Sequence, residues 1–263
     1  MELTSRDNPL VKELAKLLSD AKTRRKSGRF VIEGARLCED AARSNIKVLA
    51  ALATAAAKER YAAQWAAVEA VAERAYGLSP SLAQTLSDTG SPQGMFCLCE
   101  MPAREPLTVR ADGVYLALED MQDPGNLGAV IRTAEALGAD GLLLSAGCCD
   151  LYNPKVLRAS MGGVFRLPMA VYADLPAELE RLSQTHPVLA CVVDADAVAV
   201  TTAPKTGAIA VIGNEGNGLT DRAVAACSMR VTIPMIGRAE SLNASMAAGI
   251  LLWELCRERT EAT

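Results

Sequence analysis

Histidine and aromatic residues are scarce in this chain of 263 residues, which has one histidine and 4% aromatic residues. Histidine is the common general base and metal ligand near neutral pH, so its scarcity argues against a histidine base and against a zinc site. The eight cysteines form no Cys-x-x-Cys pair and lie mostly within apolar runs. We interpret them as buried thiols of a reducing compartment, and we expect no metal centre.

Long apolar runs are absent as well. No uninterrupted stretch reaches the roughly 18–20 residues of a membrane-spanning helix, and the N-terminal residues are charged rather than signal-like. Half of the residues are nevertheless hydrophobic, as in globular proteins with a buried core. The sequence therefore predicts a globular cytoplasmic protein that has no membrane partner.

Positive charge is not in excess, since 27 Lys and Arg residues face 31 Asp and Glu residues, for a net charge of −4. Residues 22–29, KTRRKSGR, nevertheless hold five basic residues and no acidic one. Such a basic segment can contact phosphates, because each Lys or Arg contact releases condensed counterions. The candidate phosphate contacts are Lys22, Arg24, Arg25, Lys26 and Arg29. A solvated charged loop that follows a helix over residues 8–20 is the alternative.

Two parts of the chain differ in pattern. Residues 101–113, MPAREPLTVRADG, contain two prolines and no periodicity, so we predict a linker with a boundary near residue 107. Residues 1–107 predict a smaller α/β domain, in which residues 55–75 form one long helix or end in a strand. Residues 108–263 alternate strands and helices as in a parallel sheet.

Three strand-to-helix connections of the second part carry the polar residues. In the first, the apolar strand 114–121 leads to QDPGNLG and a helix, and brings Asn126 and Arg132 near the helix start. The planar guanidinium of Arg132 suits a phosphate or a ribose oxygen. In the second, residues 208–220 form a strand and a glycine loop with one acid, Glu215. Glycines there let the backbone approach a flat ligand.

The third connection joins a strand over residues 231–235 to an apolar helix that begins near Leu242. Ser241 is a good N-cap residue, and Ser241, Asn243 and Ser245 crowd a helix start that carries partial positive charge. This turn predicts an anion-binding site, although an ordinary capped helix is the alternative. A Rossmann site is disfavoured, because GNEGNG is not G-x-G-x-x-G and occurs late in the chain.

Two further segments complete the predicted order of elements. Residues 153–168, NPKVLRASMGGVFRLP, predict a helix with Arg158 beside a pair of glycines, and we add Arg158 to the candidate phosphate contacts. Residues 186–196 predict another apolar strand.

Together, these connections resemble the three motifs of the SpoU (TrmH) family of RNA 2′-O-ribose methyltransferases, within the SPOUT class. The matching segments are DPGNLGAVIRTAEALGA, VIGNEGNGL and IPMIGRAESLNASMAAGILLWEL. RASMGGVFRLP resembles the stretch between the first two motifs, and residues from RFVIEGARLCEDA to LSDTGSPQG resemble the substrate-binding domain that precedes them in many members. The main departure is Ala244, where valine is common.

The resemblance implies a fold and a cofactor. The implied fold is a parallel-sheet α/β domain with a deep trefoil knot over residues 108–263, preceded by an RNA-binding α/β domain over residues 1–107. The implied cofactor is S-adenosylmethionine, bound in a homodimer whose partner chain lies close to the site. The positions that match the family's cofactor site are Ile212, Gly213, Glu215, Ile233, Met235 and Leu242.

The resemblance also implies the catalytic residues and the substrate. The catalytic candidates are Asn126, Arg132, Glu215, Ser241 and Asn243. The family's arginine at the position of Arg132 has been proposed as the base. A guanidinium keeps its proton up to a pKa above about 12, so we favour orientation of the ribose hydroxyl by Arg132 and Asn126. Ser241 and Asn243 then hold a phosphate or the arginine. The expected substrate is structured rRNA. A tRNA substrate and a non-catalytic RNA-binding protein involved in ribosome assembly are the alternatives.

Overall fold

The computed structural model describes residues 2–103 and 106–260. These residues form two compact units, and each is discontinuous in sequence. The first unit comprises Met1–Ala103 and Asp150–Phe165, and the second comprises Arg104–Cys149 and Arg166–Thr263. The functional division at residue 107 stays a prediction, and Arg104 and Glu105 of the predicted linker lie outside the described residues.

Helices and strands alternate along most of the chain. The strands are β1 (Glu2–Leu3), β2 (Arg29–Glu33), β3 (Val48–Ala53), β4 (Ala75–Leu78), β5 (Met95–Glu100), β6 (Tyr115–Leu118), β7 (Gly141–Ser145), β8 (Met169–Tyr172), β9 (Val188–Cys191), β10 (Val198–Ala199), β11 (Ile209–Ile212) and β12 (Met229–Thr232). The helices are α1 (Pro9–Ser19), α2 (Ala21–Ser27), α3 (Ala35–Arg43), α4 (Ala55–Arg60), α5 (Ala62–Glu69), α6 (Pro80–Leu86), α7 (Pro124–Ala136), α8 (Pro154–Ser160), α9 (Gly163–Arg166), α10 (Leu175–Ser183), α11 (Asp221–Ala226) and α12 (Ala244–Thr260).

The first unit is built on a five-stranded sheet in the order β1-β4-β3-β5-β2. Strands β1, β3 and β4 are parallel to one another, and β5 is antiparallel to both β3 and β2. Apolar side chains of α1 and α6 pack with those of the sheet to form a core that includes Leu14, Leu82 and Phe96. Residues 55–75 form two short helices and lead into β4, so the alternative with a terminal strand is the one observed.

The basic segment is helical, and the prediction of a loop there is wrong. Asp20 caps α2 by accepting hydrogen bonds from the backbone N–H groups of Lys22 and Thr23, at 2.9 and 3.1 Å. Gly28 ends the helix in the left-handed conformation. A good cap followed by a glycine stop is a strong local helix signal, which the high charge of the segment concealed.

Residues 150–165 belong to the first unit although they follow β7 in the chain. The ring of Tyr152 lies 4.4 Å from the buried ring of Phe30, measured between centroids, and Phe165 lies 6.3 Å from Phe30. The predicted helix over residues 153–168 is interrupted, because Met161 and Gly162 adopt positive φ angles of 48° and 81°. Two short helices, α8 and α9, therefore replace one.

The second unit contains a seven-stranded sheet in the order β10-β12-β9-β11-β6-β7-β8, and the pairings of its neighbouring strands are all parallel. The predicted parallel α/β domain is thereby confirmed. Its central strands are buried along their whole length, as expected for a parallel sheet covered on both faces. The strand predicted over residues 186–196 is shorter, Val188–Cys191. The threading of a knot stays a prediction.

The order of the strands decides where the polar loops meet. Strands β12, β9, β11 and β6 are neighbours in the sheet, and all run in the same direction. Their carboxyl ends therefore lie at one edge, where ligands of open α/β sheets bind. None of the described helices is long and apolar enough to cross a membrane.

Candidate active site

The loops after β6 and β11 are tied together by the carboxylate of Glu215. Its two oxygens accept hydrogen bonds from the backbone N–H groups of Gln122 and Asp123, at 3.2 and 3.1 Å, and from the side-chain amide of Asn126, at 3.2 Å. Burial works against the charged carboxylate, but these bonds and one from its own backbone N–H outweigh burial and lower the pKa of Glu215. The group is therefore ionised at neutral pH and holds the two loops in place. We call Glu215 and the residues that donate to it, Gln122, Asp123 and Asn126, the Glu215 clamp.

The turn before α12 joins the same network through Asn243. The Asn243 side chain donates a hydrogen bond from Nδ2 to Oδ1 of Asn126, at 3.0 Å. Its own Oδ1 accepts from the backbone N–H groups of Ser245 and Met246, at 2.9 and 3.3 Å, and so caps α12. The prediction that Ser241 is the N-cap is wrong, because the helix begins two residues later.

The glycine loop after β11 is a tight turn held by its own groups. Asn214 and Gly218 exchange backbone hydrogen bonds of 3.0 and 2.9 Å, and the Asn214 side chain accepts from the N–H groups of Gly216 and Asn217. A Cβ atom on Gly213 would lie 2.1–2.2 Å from backbone atoms of Gly218 and Leu219, so this position admits only glycine. The turn therefore presents backbone groups, rather than side chains, to a ligand.

A buried carboxylate supports the far end of this loop. Glu119, at the end of β6, is 5% exposed. It accepts hydrogen bonds from the backbone N–H and the hydroxyl of Thr220, each at 2.8 Å. Thr220 in turn caps α11. Both ends of the glycine loop are thus fixed to the loop after β6, which is the preorganisation that a binding site needs.

These loops enclose a cavity of about 640 Å³, which we call the edge cavity. Its volume lies within the roughly 300–1,000 Å³ of small-molecule sites. The edge cavity is lined by Asn126, Cys191–Val193, Ile212–Leu219, Thr232, Ile233, Met235, Ser241–Ala244 and Ala247. All six predicted cofactor positions are among these residues, as are four of the five predicted catalytic residues. Their individual roles stay predictions.

Arg132 is the predicted catalytic residue that does not line the edge cavity. It lies on α7, is exposed, and forms no hydrogen bond or ion pair with any residue in the described ranges 2–103 and 106–260. An arginine without a protein partner keeps all five of its N–H donors for a ligand.

The carboxyl end of β9 contributes residues that the sequence reasoning did not identify. Cys191, Val192 and Val193 line the edge cavity between the loops of β11 and β12, and Thr232 lines it from the end of β12. No motif marks the apolar run around β9. The order of the strands would have revealed it, because β9 pairs with both β11 and β12.

The predicted phosphate contacts of the first unit do not share one environment. Lys22, Arg25, Lys26 and Arg29 are exposed, and Arg29 forms an ion pair of 2.8 Å with Glu13. Arg24 is only 2% exposed, so its prediction as a phosphate contact is wrong. Its Nε donates to Asp150 at 2.7 Å, and its Nη1 donates to the carbonyl of Leu17 at 2.6 Å.

Arg158 is also engaged within the first unit. Its Nη2 donates to Asp88 at 2.8 Å, and its side chain is 31% exposed. Among the residues that the structure describes, no group of three or more His, Cys, Asp or Glu side chains is arranged to hold a metal ion.

Replacement of Gly213 by alanine is expected to weaken binding of an edge-cavity ligand at least tenfold, because a Cβ atom cannot fit against the backbone of Gly218. Gly216→Ala is the matched control in the same loop, since its Cβ atom would have only the ordinary neighbour Asn214, at 3.5 Å. Isothermal titration with S-adenosylmethionine measures both variants. Equal affinity of the two variants for S-adenosylmethionine would contradict the argument that the backbone at Gly213 leaves no room for a Cβ atom.

Comparison with known proteins matches two family models to successive parts of the chain, and the methylase match includes Asp150–Phe165 of the first unit. The model of the SpoU rRNA Methylase family matches residues 113–253, and that of the MRM3-like substrate binding domain matches residues 8–97. The first match lies on the parallel sheet and covers all residues of the Glu215 clamp. The second lies within the continuous part of the first unit.

Individual relatives are similar over nearly the whole chain. The 23S rRNA (guanosine(2553)-2′-O)-methyltransferase RlmP of Bacillus subtilis is 31% identical, with 97% of this chain and 98% of the relative covered. The 23S rRNA (uridine(2479)-2′-O)-methyltransferase of Streptomyces viridochromogenes is 32% identical, with 98% and 92% covered. The crystal structure of an AdoMet-bound rRNA methyltransferase from Sinorhizobium meliloti superposes with a TM-score of 0.85, at 29% identity and 98% coverage of both chains.

Proposed function

The chain belongs to the SpoU rRNA methylase family and is an S-adenosylmethionine-dependent RNA 2′-O-ribose methyltransferase, and we propose that its substrate is a structured rRNA. The observation that carries this proposal is the edge cavity, which is bounded by all three family motifs and fixed by the Glu215 clamp. Relatives of nearly equal length methylate rRNA, which favours rRNA over tRNA.

The lining of the edge cavity fits S-adenosylmethionine. Ile212, Ile233, Met235 and Leu242 provide apolar walls for a flat base, and the turn at Gly213 brings backbone donors and acceptors to its polar edge. When bound, the cofactor supplies a methyl group already activated by its sulfonium. The protein therefore needs no metal and contributes chiefly position.

The residues that meet the methyl acceptor, the ribose of the RNA, are assigned from the hydrogen bonds that they form within the protein. Asn126 donates to Glu215 and accepts from Asn243, so we assign it as a positioning residue that locks the three loops together. Ser241 forms no hydrogen bond within the described part of the chain, and Arg132 is without a partner there. These two residues remain to orient the ribose hydroxyl and its phosphate and to stabilise the negative charge that develops as the hydroxyl loses its proton.

The first unit is assigned to RNA binding because its exposed basic residues repeat along one short helix. Lys22, Arg25 and Lys26 of α2 are exposed and form no ion pair within the described ranges, in contrast to the buried Arg24. Structured RNA is bound mostly through phosphates and shape, which such a surface can read. The family's substrate-binding domain matches the same region.

Replacement of Lys22, Arg25 and Lys26 together by alanine is expected to weaken rRNA binding and to flatten its salt dependence, since each lost phosphate contact lowers the slope of log K against log salt by about 0.7–0.9. Filter binding at several salt concentrations measures the slope. The affinity for S-adenosylmethionine serves as the control and should not change. An unchanged slope of log K against log salt would refute the proposal that these three residues contact RNA phosphates.

A homodimer is proposed from the exposed face of α12. Residues 246–253 of this helix, MAAGILLW, include no polar side chain, yet Met246, Ile250 and Trp253, spaced as one helical stripe, are 61%, 38% and 54% exposed. A helix that is apolar all round is normally buried, so we infer that a second copy covers this stripe. The stripe begins three residues after Asn243, which places the partner chain beside the edge cavity.

Replacement of Trp253 by glutamate is expected to convert the dimer to a monomer, because it puts a charge into the centre of the apolar stripe. Light scattering after size exclusion measures the change as a halving of the mass. Val71→Glu is the matched control, since Val71 is 48% exposed in the first unit. A dimer that persists in the Trp253 variant would rule out this face.

The division of labour follows from these assignments. We propose RNA binding for the first unit, methyl transfer for the second, a knotted second unit, and a cytoplasmic location where rRNA is accessible. The decisive experiment is transfer of labelled methyl from S-adenosylmethionine to rRNA from cells that lack this protein, with the label mapped by ribose-methylation sequencing. A single labelled ribose supports the proposal. Binding of the donor without transfer to any rRNA would contradict it.

A further inference from the structure

The first unit contains a second cavity, of about 390 Å³, which takes no part in the chemistry proposed above. We call it the Glu33 cavity. Its walls include Glu33 at the end of β2, Arg36 and Leu37 at the start of α3, and Arg158 and Met161 around the end of α8. The volume falls within the roughly 300–1,000 Å³ of small-molecule sites, so the cavity is large enough for a ligand.

Glu33 has one satisfied and one unsatisfied oxygen. Its side chain is 6% exposed. The Oε1 atom accepts hydrogen bonds from the hydroxyl of Ser87 and, at 3.4 Å, from that of Thr89. The Oε2 atom is buried and has no hydrogen-bond partner within the described ranges. A buried carboxylate oxygen that receives no hydrogen bond is costly, and a donor from a ligand would supply the missing bond.

Arg158 has a donor atom that lacks a hydrogen bond beside this acceptor. Its Nη1 atom is buried without a hydrogen-bond partner in the described part of the chain and lies 4.0 Å from Oε2 of Glu33. That distance is too long for a hydrogen bond. The two groups thus form an ion pair of 4.0 Å in which neither of these two atoms has a hydrogen bond. A ligand edge with a donor next to an acceptor would satisfy both atoms at once.

Nucleobases have such an edge. We propose that the Glu33 cavity receives one unstacked base of the RNA substrate, whose edge donates to Oε2 of Glu33 and accepts from Nη1 of Arg158. Single-stranded RNA is commonly read in this way, through splayed bases that are hydrogen-bonded at their edges. Leu37 and Met161 offer apolar contact to the base, and the exposed Arg36 lies at the mouth for its phosphate. The inference rests on the proposed function, because it requires an RNA substrate.

The test uses two oligonucleotides that differ in one amino group. A heptanucleotide of 3-methyluridine with a central adenosine offers the 6-amino donor beside the N1 acceptor, whereas the same oligonucleotide with central purine riboside lacks the amino group. The flanking residues are 3-methyluridine because ordinary uridine would itself offer an N3–H donor beside a carbonyl acceptor. Fluorescence anisotropy of the full chain should show about tenfold tighter binding of the adenosine probe, the lower range for a hydrogen bond to a charged group. In Glu33→Gln the amide NH2 group replaces Oε2, while Oε1 still accepts from Ser87. The ratio of the affinities for the two probes should therefore fall to about one.

Glu39→Gln is the matched control. Glu39 lies on α3, forms an ion pair with Arg43 and does not line the Glu33 cavity, so this variant should keep the tenfold ratio. The affinity of all three proteins for S-adenosylmethionine checks that they are folded. The inference is overturned if the unchanged chain binds both probes equally. It is also overturned if Glu33→Gln keeps the tenfold preference for the adenosine probe.

Further outcomes separate this inference from the function on which it rests. Normal methyl transfer to rRNA without probe discrimination overturns the base site alone. If the unchanged chain neither binds the probes nor transfers methyl to rRNA, both proposals are overturned. Competition by free adenosine 5′-monophosphate at the concentration of the probe would assign the cavity to a free nucleotide, and so would overturn its assignment to RNA.

Discussion

An Arg132→Ala variant is expected to lose methyl transfer by at least about a hundredfold, while its affinity for S-adenosylmethionine stays within about twofold of the unchanged chain. The reason is geometric. Arg132 does not line the edge cavity and is exposed on α7, so its guanidinium has no role in holding the cofactor. We propose that its five donors serve the ribose 2′ oxygen, where negative charge develops as the proton leaves, and the neighbouring phosphate.

Single-turnover transfer to rRNA and isothermal titration with the cofactor separate these two effects. Arg181→Ala is the matched control, since Arg181 is an exposed arginine of the second unit that pairs with Glu178 on α10. It should retain full activity. If Arg132→Ala lost cofactor binding together with transfer, both the base assignment and the orienting assignment would be wrong.

An Arg24→Ala variant is expected to unfold with a free energy about 3–5 kcal/mol lower than that of the unchanged chain, because it leaves the Asp150 carboxylate with no ion-pair partner in the described ranges. Arg24 is 2% exposed, and it also donates to the carbonyls of Leu17 and Leu18, near the end of α1. These carbonyls have no donor within their own helix, since they belong to its last turn. The variant therefore removes an ion pair and a helix cap together.

Arg25→Ala is the natural control, because it makes the same change of charge one residue away at an exposed position. Its stability should stay within about 0.5 kcal/mol of the unchanged chain. Urea unfolding, followed by circular dichroism, measures both variants. Equal midpoints would show that the buried ion pair contributes little. The variants for RNA binding should accordingly leave Arg24 in place.

The second unit was predictable because its signals are local. Each apolar strand, polar loop and amphipathic helix is read within some twenty residues, and three such connections placed the predicted cofactor residues around one edge. The local sequence pattern could not decide which of two suitable residues is the N-cap of α12. Ser241 and Asn243 are both suitable residue types, and Asn243 is selected by a bond to Asn126, which is distant in sequence.

The first unit was less predictable because packing between distant segments decides it. The basic segment has one side that faces the core, and the number of its charges gave no sign that Arg24 would be the inward one. Likewise, nothing near residue 150 indicates that Asp150 and Tyr152 pack with Arg24 and Phe30. Contacts of this kind become visible only in three dimensions, since no periodicity in either segment encodes the other.

The membership of residues 150–165 in the first unit has a consequence for how this protein can be divided or exchanged. A gene fragment that ends at the linker encodes Phe30 and Arg24 without Tyr152 and Asp150, and thus leaves a buried ring and a buried charge exposed. A graft of the substrate-binding part onto another methyltransferase must therefore fit residues 150–165, which lie within the part of the chain that the methylase family matches. The two segments of the first unit are separated in the gene by β6, α7 and β7, so recombination at a single crossover cannot exchange the whole unit.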